Sequence, residues 1–362
     1  WGVTPSGGSH DVGAIYKMNG DGTGLTLQKS LTDETAGNTP RSGILVASTG
    51  KLYVTTVERG GSLVEVDLVN DTFLKKVTFR GANGYTPEGS LVEGANGNIY
   101  GITSSGGDDF AGDPGTGNGI LFEYDPATGS CLKKHDFEEA TGKTAIGGLV
   151  LATNGLIYGV TTAGGDYSAG VLFEFDPSTG NYVKKFDFDY ASTFGSPGSK
   201  LFQASNGKLY GVTRTGSHEG ALFEFDPSTG NYAQRFVFNG SVETGGDPVG
   251  GVMEKNGKLY GVTNLGGESD SGVIYEFDPG TGDFSTLYDF EGGASRGSGL
   301  SLAPDGKFFS VDINGGTNGH GTLYSFDPAS DEFQIRLHFD RATSGFEPEG
   351  ELMRSPDGTA RV

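Results

Sequence analysis

The sequence predicts an all-β protein, a seven-bladed β-propeller built from four-stranded antiparallel blades. Two observations carry this prediction: a similar unit recurs along the whole chain, and each copy contains four short strand-like stretches. Aligned on one recurrent aromatic residue, successive copies are spaced by 52, 47, 58, 52, 50 and 49 residues, which is typical of propeller blades of about 40–50 residues. The aligned positions are Trp1, Tyr53, Tyr100, Tyr158, Tyr210, Tyr260 and Phe309.

The four strands are clearest in the copy around Tyr158. Residues 147–152, 156–161, 171–176 and 182–188 are rich in Val, Leu, Phe and Tyr and are bounded by turn residues, as expected for short strands. In the last stretch, aromatic residues alternate with other residues, which is the period-two pattern of a half-buried strand. No stretch of the chain shows convincing helical periodicity.

Turn sequences join these strands into hairpins. Asn-Gly lies between the first and second strands at 153–155, 205–207 and 255–257, and it favours tight hairpins because both residues tolerate positive φ. Asp-Pro-Ser-Thr-Gly lies between the third and fourth strands at 176–180 and 226–230. There Asp accepts turn hydrogen bonds, Pro presets φ and Gly takes the left-handed position. The turns therefore predict antiparallel order within each blade.

Seven copies of the third strand predict seven blades. They are residues 14–19, 63–67, 120–125, 171–176, 221–226, 273–278 and 322–327. The chain opens in a second strand at 1–4 and finishes with a first strand at 351–355, a turn at 356–358 and a strand at 359–362. We expect the two ends to complete one blade together and so to close the propeller, as a single domain over residues 1–362.

The composition excludes several classes of function. The 25 Lys and Arg residues and 46 Asp and Glu residues give a net charge of −21 at pH 7, so the surface repels nucleic acids and anionic membranes. No apolar run is long enough for membrane insertion. The single cysteine, Cys131, excludes an internal disulfide and is expected to pack as a small apolar side chain. We expect a monomeric domain without a required cofactor. No signal peptide is visible, and the start in mid-motif suggests that a leader or neighbouring domains preceded Trp1.

The recurrent motif resembles that of a glycine-rich tandem-repeat family, known as the choice-of-anchor or GloVer repeat. The motif Leu-Tyr-Gly-x-Thr-x-x-Gly-Gly is recognisable at 1–8, 99–107, 157–165 and 259–267, and in weaker form at 51–67 and 308–316. The resemblance covers the whole chain. It implies an exported, extracellular bacterial protein, often anchored at the cell surface, and it implies little about activity because a fold does not decide function.

In a four-stranded blade, the loops between second and third strands and the linkers between blades lie at the same end, which we call the loop end. The turns at the opposite end hardly vary, whereas the loops at 58–61, 104–119 and 214–220 differ widely in length. Variable loops on a constant scaffold are typical of binding surfaces. We therefore expect the functional site at the loop end.

Aromatic rings beside polar groups suit stacking on sugars, although they also cover the seams between blades. Histidine near tyrosine or arginine suits proton abstraction beside a uronate carboxylate, although a single loop histidine is usually a surface residue. The candidate ligand-binding residues are Tyr85, Phe110, Tyr167, Tyr190, Phe194, Arg214, His218, Arg296, His320 and Phe346. For an enzyme, the candidate catalytic residues are His10, Tyr167, Tyr190, Arg214, His218 and His320.

The acidic run Asp108, Asp109 and Asp113 is either a solvated loop or a Ca²⁺ site, and it lacks the ligand register of an EF-hand loop. Three functions fit the sequence. The first is an extracellular, non-catalytic binding module for a polysaccharide or cell-surface glycan. The second is a polysaccharide-degrading enzyme, a lyase ahead of a glycoside hydrolase, with its site at the same end. The third is a structural repeat in a larger cell-surface protein.

Overall fold

The computed structural model describes residues 2–17, 19, 23–24, 26–31, 38–67, 70, 72–113, 115–215, 219–291, 298–317, 319–341, 344, 346–348 and 352. Within these residues the regular structure is β-strand, apart from two 3-10 turns at Glu58–Gly60 and Gly81–Asn83. The strands form seven antiparallel sheets. The contacts divide the chain into two compact units, Leu31–Leu201 and Trp1–Ser30 with Phe202–Val362, and each is described by itself.

The unit Leu31–Leu201 contains three four-stranded sheets, blades 2, 3 and 4. Blade 2 has β4 (Leu45–Val46), β5 (Leu52–Thr56), β6 (Ser62–Asp67) and β7 (Thr72–Thr78). Blade 3 has β8 (Val92–Glu93), β9 (Ile99–Ile102), β10 (Ile120–Tyr124) and β11 (Cys131–Asp136). Blade 4 has β12 (Leu149–Leu151), β13 (Ile157–Val160), β14 (Val171–Asp176) and β15 (Asn181–Asp187).

The other unit contains blade 1 and blades 5, 6 and 7. Blade 1 has β1 (Gly2–Thr4), β2 (Ala14–Lys17) and β3 (Thr26–Ser30). Blade 5 has β16 (Phe202–Gln203), β17 (Leu209–Arg214), β18 (Gly220–Phe225) and β19 (Tyr232–Phe238). Blade 6 has β20 (Gly246–Lys255), β21 (Lys258–Leu265), β22 (Val273–Phe277) and β23 (Phe284–Asp289). Blade 7 has β24 (Ser301–Leu302), β25 (Phe308–Asp312), β26 (Thr322–Asp327) and β27 (Glu332–His338).

These seven sheets confirm the predicted fold class, an all-β seven-bladed β-propeller with mostly four-stranded blades. Each predicted third strand coincides with an observed strand that is hydrogen-bonded on both sides; these strands are β2, β6, β10, β14, β18, β22 and β26. Blade 1 has three strands among the described residues. The predicted strands at 351–355 and 359–362 lie outside those residues, apart from Leu352.

The two ends of the chain meet in the same unit. Ser6 forms an isolated antiparallel bridge with Phe346. The rings of Tyr16 in blade 1 and Phe339 after blade 7 pack edge to face, with centroids 5.6 Å apart. Blade 1 is therefore held against blade 7, as expected if the two ends of the chain complete one blade.

Five of the seven blades are packed around a close contact between a glycine and an aromatic ring. In blade 4, Gly159 lies directly opposite Phe173, and a Cβ atom on Gly159 would come within 2.5 Å of the ring. Carbon atoms in favourable contact are about 3.5–4.0 Å apart, so the ring fits only because the glycine has no side chain. The same pairing occurs at Gly2–Tyr16, Gly101–Phe122, Gly211–Phe223 and Gly261–Tyr275.

Blade 2 fills the same space in another way. Val54 takes the glycine position and faces Val64 in place of the ring, and both valines are fully buried. Two side chains of medium size thus fill the space that, in blade 4, the phenylalanine ring fills opposite a glycine. The sequence of β5 departs from the repeat here without loss of packing, because β6 departs with it.

The same register places a hydrogen bond between a tyrosine hydroxyl and a glutamate carboxylate inside five blades. The recurrent tyrosine donates its hydroxyl to the carboxylate of a glutamate directly opposite; in blade 3, Tyr100 lies 2.7 Å from Glu123. Burial opposes ionisation of Glu123, but hydrogen bonds from Lys134, Tyr100 and Asn98 outweigh it and lower its pKa to about 2. The folded protein favours the ionised form of Glu123, because the pKa lies below the ordinary value of 4.5. The stability that Glu123 contributes is therefore lost as the pH falls from about 4.5 towards 2. The other pairs are Tyr53–Glu65, Tyr158–Glu174, Tyr210–Glu224 and Tyr260–Glu276.

Fourth strands of neighbouring blades contact each other through stacked rings. His135 in blade 3 stacks on Tyr182 in blade 4 with centroids 3.6 Å apart and ring planes 3° apart. In blades 5 and 6 the equivalent pair is Phe236 and Phe284, with centroids 3.9 Å apart. Burial lowers the pKa of His135 to about 4. This histidine is therefore a packing residue that is neutral at pH 7, as its position in a fourth strand suggests.

The contact between Gly159 and Phe173 predicts a compensating pair of substitutions. Gly159→Val is expected to destabilise the protein by about 3 kcal/mol through overpacking, and Phe173→Val by about 3 kcal/mol through the cavity it leaves. The double variant copies Val54 and Val64, so it should be more stable than the sum of the single effects by over ~1 kcal/mol. Urea unfolding of the four proteins measures this coupling; strictly additive losses would contradict the packing account.

The buried His135 predicts a pH dependence of stability. Its pKa is about 4 in the folded protein against 6.5 ordinarily, so the unfolded chain binds the proton first as the pH falls. The contribution of His135 should lower the stability between about pH 6.5 and pH 4, by at most about 3 kcal/mol, and should not change further below that range. His135→Phe, which copies Phe236, should remove this component. The difference in urea midpoint between the two proteins, followed from pH 7 to pH 4, is the measurement; a constant difference would show that His135 does not titrate in this way.

Candidate functional site

The linkers and the second-to-third-strand loops run side by side at the loop end of blades 3 and 4. The linker into blade 3 forms a bridge between Tyr85 and Ser105, and the linker into blade 4 forms one between Lys143 and Ala163. Each bridge joins a linker to the loop that follows the second strand of the same blade. Side chains from both kinds of segment therefore converge at this end.

Tyr167 lies at the tip of the loop between β13 and β14, and 61% of it is exposed. The turn below it is fixed, because the backbone N–H of Asp166 donates to the Asp187 carboxylate at 2.8 Å. The ammonium of Lys184 pairs with the carboxylates of both Asp166 and Asp187, at 2.8 Å and 2.9 Å. The ring is thus exposed on a rigid turn.

Tyr190 lies in the linker that leaves blade 4, and 53% of it is exposed. Its ring packs against Gly195, where a Cβ atom would come within 2.4 Å of it. The linker is tied to the Tyr167 loop, because the backbone N–H of Ser196 donates to the carbonyl of Ala169 at 2.8 Å. Among the residues that the structure describes, these two tyrosines are the exposed aromatic residues, and they stand on two joined loops.

The other blades show that the fold does not require these rings. Counted from the glycine pair of the loop, Tyr167 corresponds to Asp109 in blade 3 and Ser269 in blade 6. Counted from the phenylalanine after the fourth strand, Tyr190 corresponds to Glu139 after blade 3. Blade 4 therefore carries two exposed aromatic rings at positions where other blades carry small or polar residues.

The remaining predicted aromatic residues of this unit are half-buried. Tyr85 and Phe110 stack with centroids 5.9 Å apart and planes 19° apart. Phe110 covers Gly81, and Tyr85 lies against Gly60 of blade 2. These two rings thus pack the seam between blades 2 and 3. Phe194 has a left-handed backbone, with φ of 56°, and its side chain is half-buried.

A polar cluster lies at the loop end between blades 5 and 6. Arg214, which ends β17, places Nη1 4.0 Å from Oδ2 of Asp247 near the start of β20 in blade 6. Asn264 of β21 donates its Nδ2 to the same Oδ2 at 2.9 Å. Asn264 is 7% exposed. Of these three residues, the sequence analysis predicted only Arg214. It missed Asp247 because Asp-Pro is typical of a turn, and it missed Asn264 because this residue lies at a variable position of the motif.

The predicted histidines have separate surroundings. His10 is exposed and lies 2.8 Å from Ser9 Oγ through its Nδ1. His320 packs on Phe346, with ring centroids 5.5 Å apart. Arg341 covers the same ring at 4.8 Å and pairs with Asp11, so Phe346 belongs to the contacts that join the ends of the chain. His218 and Arg296 lie outside the residues that the structure describes.

The predicted Ca²⁺ residues are engaged by protein groups. Asp108 pairs with the Lys133 ammonium at 2.5 Å, and this ammonium also lies 2.5 Å from Asp136. Asp109 accepts a hydrogen bond from Asn118 at 2.7 Å. The Asp113 carbonyl accepts one from Thr116 at 2.7 Å. Within the described part of the chain, no group of three His, Cys, Asp or Glu side chains has the arrangement of a metal site.

Cys131 is half-buried against the core shared by blades 2 and 3. Burial raises the pKa of its thiol to about 11, so the thiolate that would make it a nucleophile is disfavoured at pH 7. Over the described ranges, no helix has the length and hydropathy needed to cross a bilayer.

Comparison with known proteins defines the class: a β-propeller of tandem glycine-rich repeats. The model of the Gloeobacter/Verrucomicrobia repeat matches residues 1–218 and 188–360, and the chain belongs to this family. No curated protein matches the sequence.

Solved structures share the fold at low sequence identity. A putative 6-phosphogluconolactonase from Bacteroides uniformis is similar at 15% identity with a TM-score of 0.62, over 96% of this chain and 97% of that one. A prolyl endopeptidase is similar at 13% identity with a TM-score of 0.56, over 90% of this chain and 46% of that one. Likeness at such identity shows the propeller fold alone.

The pairing of Asp108 with Lys133 predicts the response to Ca²⁺. The ammonium occupies the position between Asp108 and Asp136 where a cation would lie, so millimolar Ca²⁺ should leave the melting temperature unchanged. Thermal unfolding with Ca²⁺ and with a chelator tests this. A rise in melting temperature that Asp108→Asn abolishes would show that the acidic loop does bind the metal.

Proposed function

We propose that the protein is an extracellular, non-catalytic glycan-binding module whose main contact is the platform formed by Tyr167 and Tyr190. The observation that supports this proposal is the exposure of two tyrosine rings on two joined loops of one blade. Aromatic rings present an apolar face at low entropic cost, and the C–H face of a sugar ring can stack on them. The hydroxyl groups of both rings supply polar contacts at the edge of the platform.

The charges around the platform favour a neutral glycan. The carboxylates of Asp166 and Asp187 are shared by one lysine, Lys184, which leaves a net negative group beside Tyr167. The whole chain has a net charge of −21, which disfavours polyanions over a distance of about 8–10 Å at physiological salt. We therefore infer a neutral polysaccharide or cell-surface glycan, bound by a monomeric domain without a metal.

The platform predicts that binding depends on both tyrosines. The test is titration of the protein with neutral glucans, mannans and xylans and with polyuronates, by affinity electrophoresis and calorimetry. We expect binding of a neutral polysaccharide, and a loss of at least about tenfold in affinity, or ~1.4 kcal/mol, in the Tyr167→Ser, Tyr190→Ala variant. Tyr167→Ser copies Ser269 of blade 6, so the fold should tolerate it.

Leu132→Ala is the matched control, because Leu132 is 55% exposed in a fourth strand of the same unit and away from the loop end. Its affinity should equal that of the unchanged protein. Absence of binding to every polysaccharide would overturn the proposal in favour of a structural repeat. Release of unsaturated uronates, seen by ultraviolet absorption, or of reducing ends would overturn it in favour of a lyase or a glycoside hydrolase.

A further inference from the structure

In blades 3 and 4, one side-chain hydrogen bond joins the linker to a residue that follows the second strand. In blade 3, Ser104 donates its hydroxyl to the carbonyl of Thr86 at 3.1 Å. In blade 4, Thr162 donates to the carbonyl of Thr144 at 2.9 Å. One short hydroxyl side chain and one backbone carbonyl therefore suffice to join these segments.

Blade 6 carries larger polar groups at the same two positions. Asp247, near the start of β20, takes the position of the linker residue Thr144 and has the same left-handed backbone, with φ of 49° against 57° for Thr144. Asn264 replaces the hydroxyl residue and donates its amide to the Asp247 side chain instead of to a carbonyl. The substitution adds two side-chain oxygens that the fold does not use, Oδ1 of Asp247 and Oδ1 of Asn264.

Both added oxygens are buried acceptors without a donor among the described residues. The amide of Asn264 cannot be turned over to satisfy its own oxygen, because its Oδ1 would then face the carboxylate of Asp247. A buried acceptor without a donor destabilises the folded protein, because it has lost its hydrogen bonds to water. A ligand that supplies two neighbouring donors would recover this energy.

The nearby arginine indicates which donors fit. A metal ion or an ammonium group at the two oxygens would lie close to the guanidinium of Arg214, which is 4.0 Å from Asp247 Oδ2, and like charges at that distance repel. Neutral hydroxyl donors carry no such penalty. Arg214 is too far from Asp247 for a hydrogen bond and its side chain is 44% exposed, so it can move aside at little cost and donate to ligand oxygens.

We propose that Asp247, Asn264 and Arg214 form a sugar subsite in which Oδ1 of Asp247 and Oδ1 of Asn264 accept hydrogen bonds from two neighbouring hydroxyls of one monosaccharide. Arg214 donates to a ring or hydroxyl oxygen of the same unit. The class of ligand, a glycan, is taken from the proposed function. The residues of the subsite differ from the two tyrosines of the platform. It assigns a ligand to two residues that no sequence motif singled out.

The test uses the double variant Asp247→Thr, Asn264→Thr, which recreates the Thr144 and Thr162 pair of blade 4 and should fold. The protein is titrated with methyl glycosides of glucose, galactose and mannose, and binding is followed by ¹H–¹⁵N chemical shifts. We expect at least one glycoside to bind, with affinity reduced at least tenfold in the double variant and unchanged in the Tyr167→Ser, Tyr190→Ala variant. Loss in the tyrosine variant alone would place the monosaccharide on the platform and overturn the subsite while sparing the proposed function.

Asp247→Asn gives a second test that does not depend on the double variant folding, because it keeps the shape of the side chain and replaces one acceptor by a donor. It should also weaken binding at least tenfold. Equal affinity in this variant would overturn the inference, as would failure of all three glycosides to bind. An increase in melting temperature with Na⁺ or Ca²⁺ that Asp247→Asn abolishes would show a cation site instead and would equally overturn it.

Discussion

The close contact between a second-strand glycine and a third-strand aromatic ring is the interaction on which five of the seven blades depend. In these blades the ring lies where the opposite strand has no side chain, so Leu-Tyr-Gly and the aromatic third strand are two halves of one packing arrangement. The same register sets Tyr158 opposite Glu174 and Gly159 opposite Phe173. A shift of one residue would exchange the two faces of the strand, separating the ring from its glycine and the tyrosine from its carboxylate together.

Because the blades repeat one packing arrangement, each blade serves as a control for the others. Val54 and Val64 show that the glycine and the ring can change together, and Ser310 opposite Tyr324 in blade 7 shows that a small side chain can also face the ring. The loop end has no such constraint, and there one blade differs from the next in single side chains. Tyr167 and Tyr190 in blade 4, and Asp247 with Asn264 in blade 6, are additions to positions that other blades fill with small or polar residues. Function is therefore inferred from the differences between blades and fold from what they share.

Sequence reasoning predicted most of the fold, because strand, turn and repeat signals all reinforced one another. It also placed Tyr167 and Tyr190 at the loop end, and their exposure agrees with a binding role. It could not separate them from Tyr85 and Phe110, because whether a loop ring faces solvent or a neighbouring blade depends on how the loop folds back. Asp247 and Asn264 were missed because their contact joins residues 17 positions apart and follows from the strand register, which no local motif shows.

The central claim is that repeated residues build the scaffold and that the departures in blades 4 and 6 bind the ligand. Hydrogen–deuterium exchange with and without a bound polysaccharide tests it most directly, because peptides from equivalent loops of all blades are compared in one experiment. The account predicts slower exchange confined to residues 165–170 and 189–197, and around 246–248 and 263–265, with no change at the equivalent loop of blade 3 near 107–112. Equal protection of the loops of every blade, or protection at the opposite turns, would contradict it.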